Sequence, residues 1–233
     1  MKCLIFDIWS DYGHFRKFYT TSSPLTFSIP PRTTICGIVA AIIGLDREEY
    51  LKYFTKEEAN IAVKINAPIN KTRISYNLIN TKTAKMYSKI KDRTQVTFEL
   101  LKNPSYRIYI SHKDEIIYNK IKKQLQTGKN HYTVSMGLSQ LIAEFNFLGE
   151  EELELKENDG EFEYINTALA FNEEIDVEFE NGKEYFKDTM PNEMDEDRVV
   201  TEYSKVLFER NGYPIKCKCN YFIGNEGDKI VFL

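Results

Sequence analysis

The fold is decided by two stretches, KCLIFDIW at residues 2–9 and TTICGIVAAIIGL at residues 33–45. The first is a short apolar run that contains one aspartate, which is typical of a central β-strand. The second follows Pro30 and Pro31, and these prolines before a pair of threonines predict a helix start with a threonine as its N-cap. Because this helix is apolar on nearly every side, we expect it to be buried on most of its surface.

Segments after residue 60 extend this beginning into an α+β order. We predict strands at residues 61–65, 94–101 and 106–110, and a second helix from the start signal Ser111-x-x-Asp114 to Gly128. The turn residues Asn103-Pro104-Ser105 join the last two strands as a hairpin. The resulting order is most of a ferredoxin-like β-α-β-β-α-β domain, into which residues 71–93 are inserted.

The composition changes after residue 150, where the chain becomes acidic. Alternating apolar residues predict strands near 175–179, 215–223 and 229–233, and Asn-Gly or Gly-rich turns separate them. We therefore expect a first domain at residues 1–150 and a small, mostly antiparallel β extension at residues 151–233.

Charge is distributed unevenly along the chain. Residues 1–150 carry 22 Lys and Arg against 13 Asp and Glu, whereas residues 151–233 carry 9 against 22. The surplus of positive charge is greatest in residues 61–129, with 15 basic and 4 acidic residues. A basic segment inside a chain whose pI is about 5.6 indicates either a nucleic-acid partner or an attraction between the two parts of the chain.

Composition excludes several classes of protein. With 42% hydrophobic and 28% charged residues the chain is typical of a folded protein, and no apolar run reaches the roughly 18 residues of a membrane-spanning helix. Asp7 interrupts the first apolar run too early for a signal peptide, so we expect none. The four cysteines, with Cys217 and Cys219 at alternate strand positions, indicate reduced thiols in the cytoplasm rather than disulfides or zinc. We expect no metal and no cofactor.

The basic stretch at residues 71–93 is the strongest candidate for a binding segment. It holds seven lysines and arginines, with Tyr76, Met86 and Tyr87 among them. Cations bind phosphate oxygens, whereas flat or apolar side chains stack on unpaired bases. The stretch therefore predicts a segment that binds single-stranded nucleic acid, and the alternative is an ordinary exposed loop that its lysines keep soluble.

His112 and Lys113 form a second candidate, an acid–base pair. An imidazole beside an amine at a strand–helix junction would suit RNA cleavage through a ribose 2′-hydroxyl. The alternative is that these are simply polar residues at the start of a helix. The other histidines, His14 and His131, lie in no known hydrolase motif.

Four runs of sequence resemble one known family. They are FDIWSDYGHFRKFYTTSSPLTF at residues 6–27, IPPRTTICGI at residues 29–38, RTQVTFELLKNP at residues 93–104 and HYTVSMGLS at residues 131–139. Together they resemble CRISPR-associated Cas5 proteins of subtype I-B, over most of residues 1–150. The acidic C-terminal part is similar to this family only loosely.

The resemblance implies a RAMP-superfamily domain of the ferredoxin-like (RRM) type, with a long β-hairpin thumb at about residues 68–95. It implies a non-catalytic subunit of the type I Cascade complex that caps the 5′ repeat-derived handle of the CRISPR RNA (crRNA) in antiviral defence. The implied partners are crRNA, the repeated backbone subunit and the large subunit. Target DNA would be reached only through the complex, and no membrane is involved.

The resemblance and the basic stretch together indicate a set of RNA-binding residues. In the thumb they are Lys71, Arg73, Tyr76, Lys82, Lys85, Tyr87, Lys89, Lys91 and Arg93. Outside it, the handle-phosphate candidates are Arg16, Lys17 and Arg32, near a helix N-terminus whose N–H groups suit anions, and the candidates for close backbone approach are Gly137 and Ser139.

Two other functions stay open. The subtype I-C branch of the family cuts precursor RNA, so a metal-independent endoribonuclease that uses His112 and Lys113 is the first alternative. The second is an assembly protein whose basic region binds an acidic partner surface.

Overall fold

A computed structural model of the chain describes residues 1–20, 23–79, 93–172 and 175–233. The helices in these ranges are α1 (Arg32–Ile43) and α2 (Glu115–Thr127), with a short 3-10 helix at Tyr50–Tyr53. The strands are β1 Lys2–Trp9, β2 Tyr12–Gly13, β3 Phe15–Arg16, β4 Thr26–Phe27, β5 Ala59–Ile65, β6 Asn70–Ile79, β7 Arg93–Lys102, β8 Ser105–His112, β9 Glu144–Glu152, β10 Glu154–Lys156, β11 Glu163–Ile165, β12 Leu169–Ala170, β13 Asp176–Glu178, β14 Tyr185–Met194, β15 Val200–Glu209, β16 Ile215–Lys218, β17 Tyr221–Ile223 and β18 Lys229–Ile230. The predicted α+β class, with mostly antiparallel strands and few helices, is confirmed.

A four-stranded antiparallel sheet lies at the centre, in the order β5-β8-β1-β9. Strand residues alternate between its two faces, and Leu4, Phe6 and Ile8 of β1 point into the main core together with residues of both helices. Among these helix residues are Ile35 of α1 and Ile121 of α2, which are 1% and 0% exposed. The two helices therefore cover one face of the sheet.

The helix boundaries follow local chemistry. Helix α1 begins at Arg32, ahead of the apolar residues that start at Ile35, and the predicted threonine N-cap is wrong because Pro31 occupies that position without a side-chain cap. Proline has a fixed φ and no N–H, so it suits a helix start. Helix α2 begins as predicted, where Asp114 accepts hydrogen bonds from the N–H groups of Ile116 and Ile117. No helix within the described ranges is long and apolar enough to cross a membrane.

The predicted hairpin between residues 94–101 and 106–110 is wrong. Strand β7 pairs instead with β6 through ten residue pairs, from Asn70 opposite Lys102 to Ile79 opposite Arg93. Strand β8 pairs with β1 and β5 in the central sheet. Alternation tells which residues share a face but does not select the partner strand, and burial makes the distinction: β8 is buried along most of its length, whereas the first half of β7 is largely exposed.

The opposite face of the central sheet is covered by the C-terminal part of the chain. Ile5 and Tyr109 on that face belong to a second cluster that includes Leu153 and Ile230. The Asp228 carboxylate accepts hydrogen bonds from the hydroxyl of Tyr109 at 2.5 Å and from Nζ of Lys64 at 2.8 Å. Both faces of the sheet are therefore occupied by the protein itself.

The C-terminal part contains one large hairpin that the sequence did not predict, formed by β14 and β15. Its buried residues Met190, Val206 and Phe208 belong to the same core cluster as the central sheet. The strands predicted in this part are present but shorter, since the run at 215–223 is divided into β16 and β17 and the run at 229–233 contains only β18. Polar residues and Pro191 within β14 hide the alternation that would have revealed the hairpin.

Candidate nucleic-acid interface

An open groove of about 410 Å³ lies between the start of α1, the strand β3 and the loop at residues 133–138. The residues that matter for its chemistry are His14, Arg16, Thr33, Tyr50, Gly137 and Arg198. Within the described part of the chain, no aspartate or glutamate lines this groove. Its lining therefore carries positive charge and hydroxyl groups with no opposing carboxylate.

Among the residues that the structure describes, the two arginines of the groove are held by backbone carbonyl groups and not by acidic side chains. Arg16 donates a hydrogen bond to the carbonyl oxygen of Thr20 at 3.0 Å. Arg198 donates to the carbonyl oxygen of Arg47 at 3.3 Å, and its guanidinium lies 5.7 Å from the centroid of the Tyr50 ring. The positive end of the α1 dipole adds to their charge because Thr33 is in the first turn of that helix. The arrangement suits an anion such as a phosphate group.

His14 is buried at the edge of this groove, with 1% of its surface exposed. Its Nδ1 lies 2.8 Å from the carbonyl oxygen of Glu99. Its Nε2 has no hydrogen-bond partner among the residues that the structure describes. Burial lowers the pKa of His14 below its usual 6.5, and the charge of Arg16 lowers it further. The imidazole is therefore neutral at pH 7.

Gly137 keeps the loop at residues 133–138 in contact with His14. Its φ is +94°, and a Cβ at this position would lie 1.9 Å from the carbonyl oxygen of His14. The neighbouring Met136 accepts a hydrogen bond from the N–H of His14 at 2.9 Å. The close backbone approach that the sequence suggested at Gly137 is thus made to the chain itself, whereas Ser139 is exposed and is not among the groove residues.

Lys17 and Lys71 line a different cavity, of about 430 Å³, at the base of the β6–β7 hairpin. Lys17 forms a salt bridge of 2.6 Å with Asp188. Lys71 donates to the carbonyl oxygen of Thr26 at 2.9 Å and lies 3.1 Å from the Glu99 carboxylate. The structure therefore brings these two predicted residues together, but each has an acidic partner.

Arg32 is buried rather than presented to a ligand, with 2% of its surface exposed. Its guanidinium donates to the carbonyl oxygens of Thr55, Ala59 and Asn192 at 2.8, 2.7 and 3.3 Å. These contacts fix the start of α1 to two other segments. The predicted phosphate contact of Arg32 is therefore not supported, because its donors bind the protein.

His112 is also engaged within the protein. Its Nε2 lies 2.7 Å from the carbonyl oxygen of Tyr53, and its Nδ1 accepts a hydrogen bond from the N–H of Asp114 at 3.0 Å. Both ring nitrogens are thus occupied, so neither is free to transfer a proton. Lys113 is exposed beside it and lines a cavity other than the groove.

The β6–β7 hairpin carries the remaining predicted residues on its two faces. Arg73 is exposed on the face opposite Tyr76, and Arg93 lies at the far end of the described pairing. The Tyr76 ring contacts Phe98 edge-on at 5.4 Å, and Phe98 in turn contacts the His14 ring at 5.4 Å. The other predicted thumb residues, Lys82, Lys85, Tyr87, Lys89 and Lys91, lie outside the described residues. No cluster suited to a metal ion occurs in the described ranges.

Sequence reasoning missed some residues of the groove. His14 lies inside one of the family-like runs, two residues before the predicted Arg16, but no pattern assigned it a role. No sequence pattern pointed to Tyr50 or Arg198. Arg198 directly follows Glu196 and Asp197, so the local sequence is acidic rather than basic. The parts of the groove that the sequence predicted are Arg16, Gly137 and the N-terminus of α1.

The fold and groove define a class of protein: an antiparallel α+β chain with a basic groove beside a long hairpin, in which none of the described lining residues is a carboxylate. Residues 3–205 match the model of a family described as CRISPR-associated protein (Cas_Cas5). The chain therefore belongs to the Cas5 family of CRISPR-associated proteins, which confirms the resemblance at the family level.

Two solved structures show the same fold at low sequence identity. A CRISPR protein from Archaeoglobus fulgidus is similar with a TM-score of 0.63 and 13% identity, covering 100% of this chain and 99% of that one. A chain from a CRISPR RNA-guided surveillance complex is similar with a TM-score of 0.55 and 10% identity, covering 91% of each chain. A search of curated proteins found no significant match.

Proposed function

We propose that this chain is a non-catalytic, crRNA-binding subunit of a type I CRISPR Cascade complex, where it caps the 5′ repeat-derived handle. The observation that carries the proposal is the groove at the start of α1, which combines Arg16, Arg198 and a helix N-terminus without any described carboxylate. Phosphate contacts position a nucleic acid and supply most of its affinity, and this groove offers what they need. Membership of a CRISPR-associated family supports the same function.

The fold supports a specific path for the RNA. We assign the four-stranded sheet and the two helices to a ferredoxin-like RAMP domain within residues 1–150, the β6–β7 hairpin to its thumb, and residues 151–233 to an extension. RRM domains stack bases on the exposed face of their sheet. That face is covered here, by Leu153 and Ile230 among others. We therefore place the RNA on the helix side, along the groove and toward the hairpin.

The partners in this proposal are those of a Cascade subunit: crRNA, the repeated backbone subunit and the large subunit. The similar chain from a CRISPR RNA-guided surveillance complex supports membership of such an assembly. Several exposed aromatic residues are available for protein contacts, among them Phe18 and Tyr203, whose rings lie 4.9 Å apart.

The first test is RNA binding by the purified full chain, alone and with its neighbouring subunits. We would measure anisotropy of a labelled repeat-derived RNA for Arg16→Gln with Arg198→Gln, and for the matched pair Lys120→Gln with Lys123→Gln on the exposed side of α2. The groove pair should weaken binding and lower the slope of log K against log salt by about 1.4, because each lost phosphate contact accounts for about 0.7. The control pair should change both values little. Equal losses in the two pairs, or no RNA binding by the unmodified chain, would contradict the proposal.

The second test addresses catalysis. The purified chain is incubated with its own repeat RNA without metal, and the RNA is expected to remain intact because both nitrogens of His112 are occupied. Discrete cleavage that His112→Ala abolishes would instead establish the endoribonuclease alternative.

A further inference from the structure

We propose that His14 makes the groove selective for RNA over DNA, because its Nε2 accepts a hydrogen bond from a ribose 2′-hydroxyl. This inference rests on the proposed function and goes beyond it. It assigns a specificity-determining role to a residue that lies between the phosphate-binding groups and the hairpin.

The protonation of His14 follows from its partner. A carbonyl oxygen only accepts hydrogen bonds, so Nδ1, at 2.8 Å from the Glu99 oxygen, must carry the proton. In a neutral imidazole the other nitrogen is then an acceptor. Nε2 therefore carries a buried lone pair that has no donor within the described part of the chain, and a ligand in the groove reaches it once the groove opens beside the ring.

A buried acceptor without a donor is unusual in a folded protein and costs free energy. Phosphate oxygens cannot supply the missing donor because they only accept hydrogen bonds. The arginines and the α1 N-terminus of the same groove suit the phosphate, whereas His14 requires an O–H or N–H group of the same ligand. A ribose 2′-hydroxyl is such a donor, it lies next to the phosphate in every ribonucleotide, and it is absent from DNA.

The position of His14 is fixed before any ligand arrives. Its backbone N–H is bound by Met136, its carbonyl lies against Gly137, and its ring contacts Phe98 at 5.4 Å. A rigid acceptor loses little entropy on binding and discriminates sharply between ligands with and without a donor.

The test is a scan of the ligand on the unmodified full chain. A repeat-derived RNA that binds is compared with versions that carry a single 2′-deoxy nucleotide at each position, and with versions that carry single base changes. We expect one deoxy position to lose about fivefold to tenfold in affinity, as for a neutral hydrogen bond, while base changes at that position cost less. If RNA binds but no deoxy position costs more than about twofold, the inference is wrong and the proposed function stands. If the chain and its complex bind no RNA, both are wrong.

A variant then assigns the effect to His14. In His14→Phe a planar aromatic ring is kept and the acceptor is lost, so RNA and the sensitive deoxy version should bind equally. His131→Phe, at an exposed histidine, is the matched control and should retain the difference. Persistence of the difference in His14→Phe would overturn the assignment. Should that variant not fold, the ¹⁵N resonance of Nε2 in the unmodified chain gives the same answer, since it must move upfield with RNA and not with the sensitive deoxy version.

Discussion

The two buried histidines lie in regions that use the imidazole in opposite ways. At the start of α2, both nitrogens of His112 are bound to the backbone, at Tyr53 and at Asp114. Between β2 and β3, only one nitrogen of His14 is bound, the other is buried without a partner in the described part of the chain, and the residue lines the basic groove. A fully bonded histidine stabilises the fold, whereas a buried acceptor without a donor beside a groove is the one that a ligand can satisfy.

The difference shows why residue type alone misleads. His112 stands beside a lysine and suggests catalysis, yet both of its nitrogens are used to join a strand, a short helix and the start of α2. His14 has no suggestive sequence neighbour except Arg16. Only the hydrogen-bond partners separate the structural histidine from the available one.

The largest effect on stability is expected from Gly137→Ala, which disrupts the backbone contact between Gly137 and His14. The new Cβ would meet the carbonyl oxygen of His14 at 1.9 Å, and the left-handed φ of +94° disfavours any side chain. We expect a loss of about 3 kcal/mol or more in the free energy of unfolding, measured by urea denaturation.

Gly160→Ala is the matched control for that variant. Its φ is +98°, but a Cβ there has no neighbour within 4 Å. It should therefore cost only the conformational part, about 1–2 kcal/mol. Equal losses at the two glycines would mean that the contact with His14 contributes nothing.

A smaller loss is expected from His112→Phe. This change keeps the ring but leaves the carbonyl of Tyr53 and the N–H of Asp114 without their partner. Each unsatisfied buried group costs about 1–3 kcal/mol, so we expect about 2–3 kcal/mol because the site is partly open to water. RNA affinity of the folded fraction should be unchanged, and a selective loss of RNA binding with full stability would reverse the comparison of the two histidines.

His14→Phe should cost less stability than His112→Phe. One hydrogen bond to the Glu99 carbonyl is lost, but an unpaired buried acceptor is removed at the same time. We expect a net loss of about 1 kcal/mol in urea denaturation. A loss larger than that of His112→Phe would show that His14 is the more structural residue of the two.

The contrast between local patterns and contacts from distant residues also determines how much of the fold and of the groove could be predicted from sequence. The strands, the two helices and the class of fold follow from alternation and start signals, because these depend on neighbours in the chain. Arg32 was predicted as a phosphate contact since it stands at a helix start, but three carbonyl groups from distant segments bind it. Arg198 joins the groove from 182 residues beyond Arg16, and no local pattern reports such a contact. The predicted pairing of β7 with β8 is wrong for the same reason, because no local pattern shows that β6 is the partner strand.

The smallest effect is on the pH dependence of the free energy of unfolding, and it reports on the imidazole of His14 alone. Burial is the main cause that lowers the pKa of His14 below 6.5, with Arg16 acting in the same direction and the Glu99 carbonyl and carboxylate opposing it. Between this lowered pKa and 6.5 the unfolded chain binds a proton that the folded chain does not, so the free energy of unfolding should rise with pH through that window and level off above it.

Urea denaturation from about pH 5 to pH 8 measures this slope of the free energy of unfolding against pH. The His14→Phe variant should show a shallower slope than the unmodified chain, because the proton taken up on unfolding at this site is gone. An unchanged slope would mean that the pKa of His14 is the same in the folded and unfolded chain, so that burial does not favour the neutral imidazole.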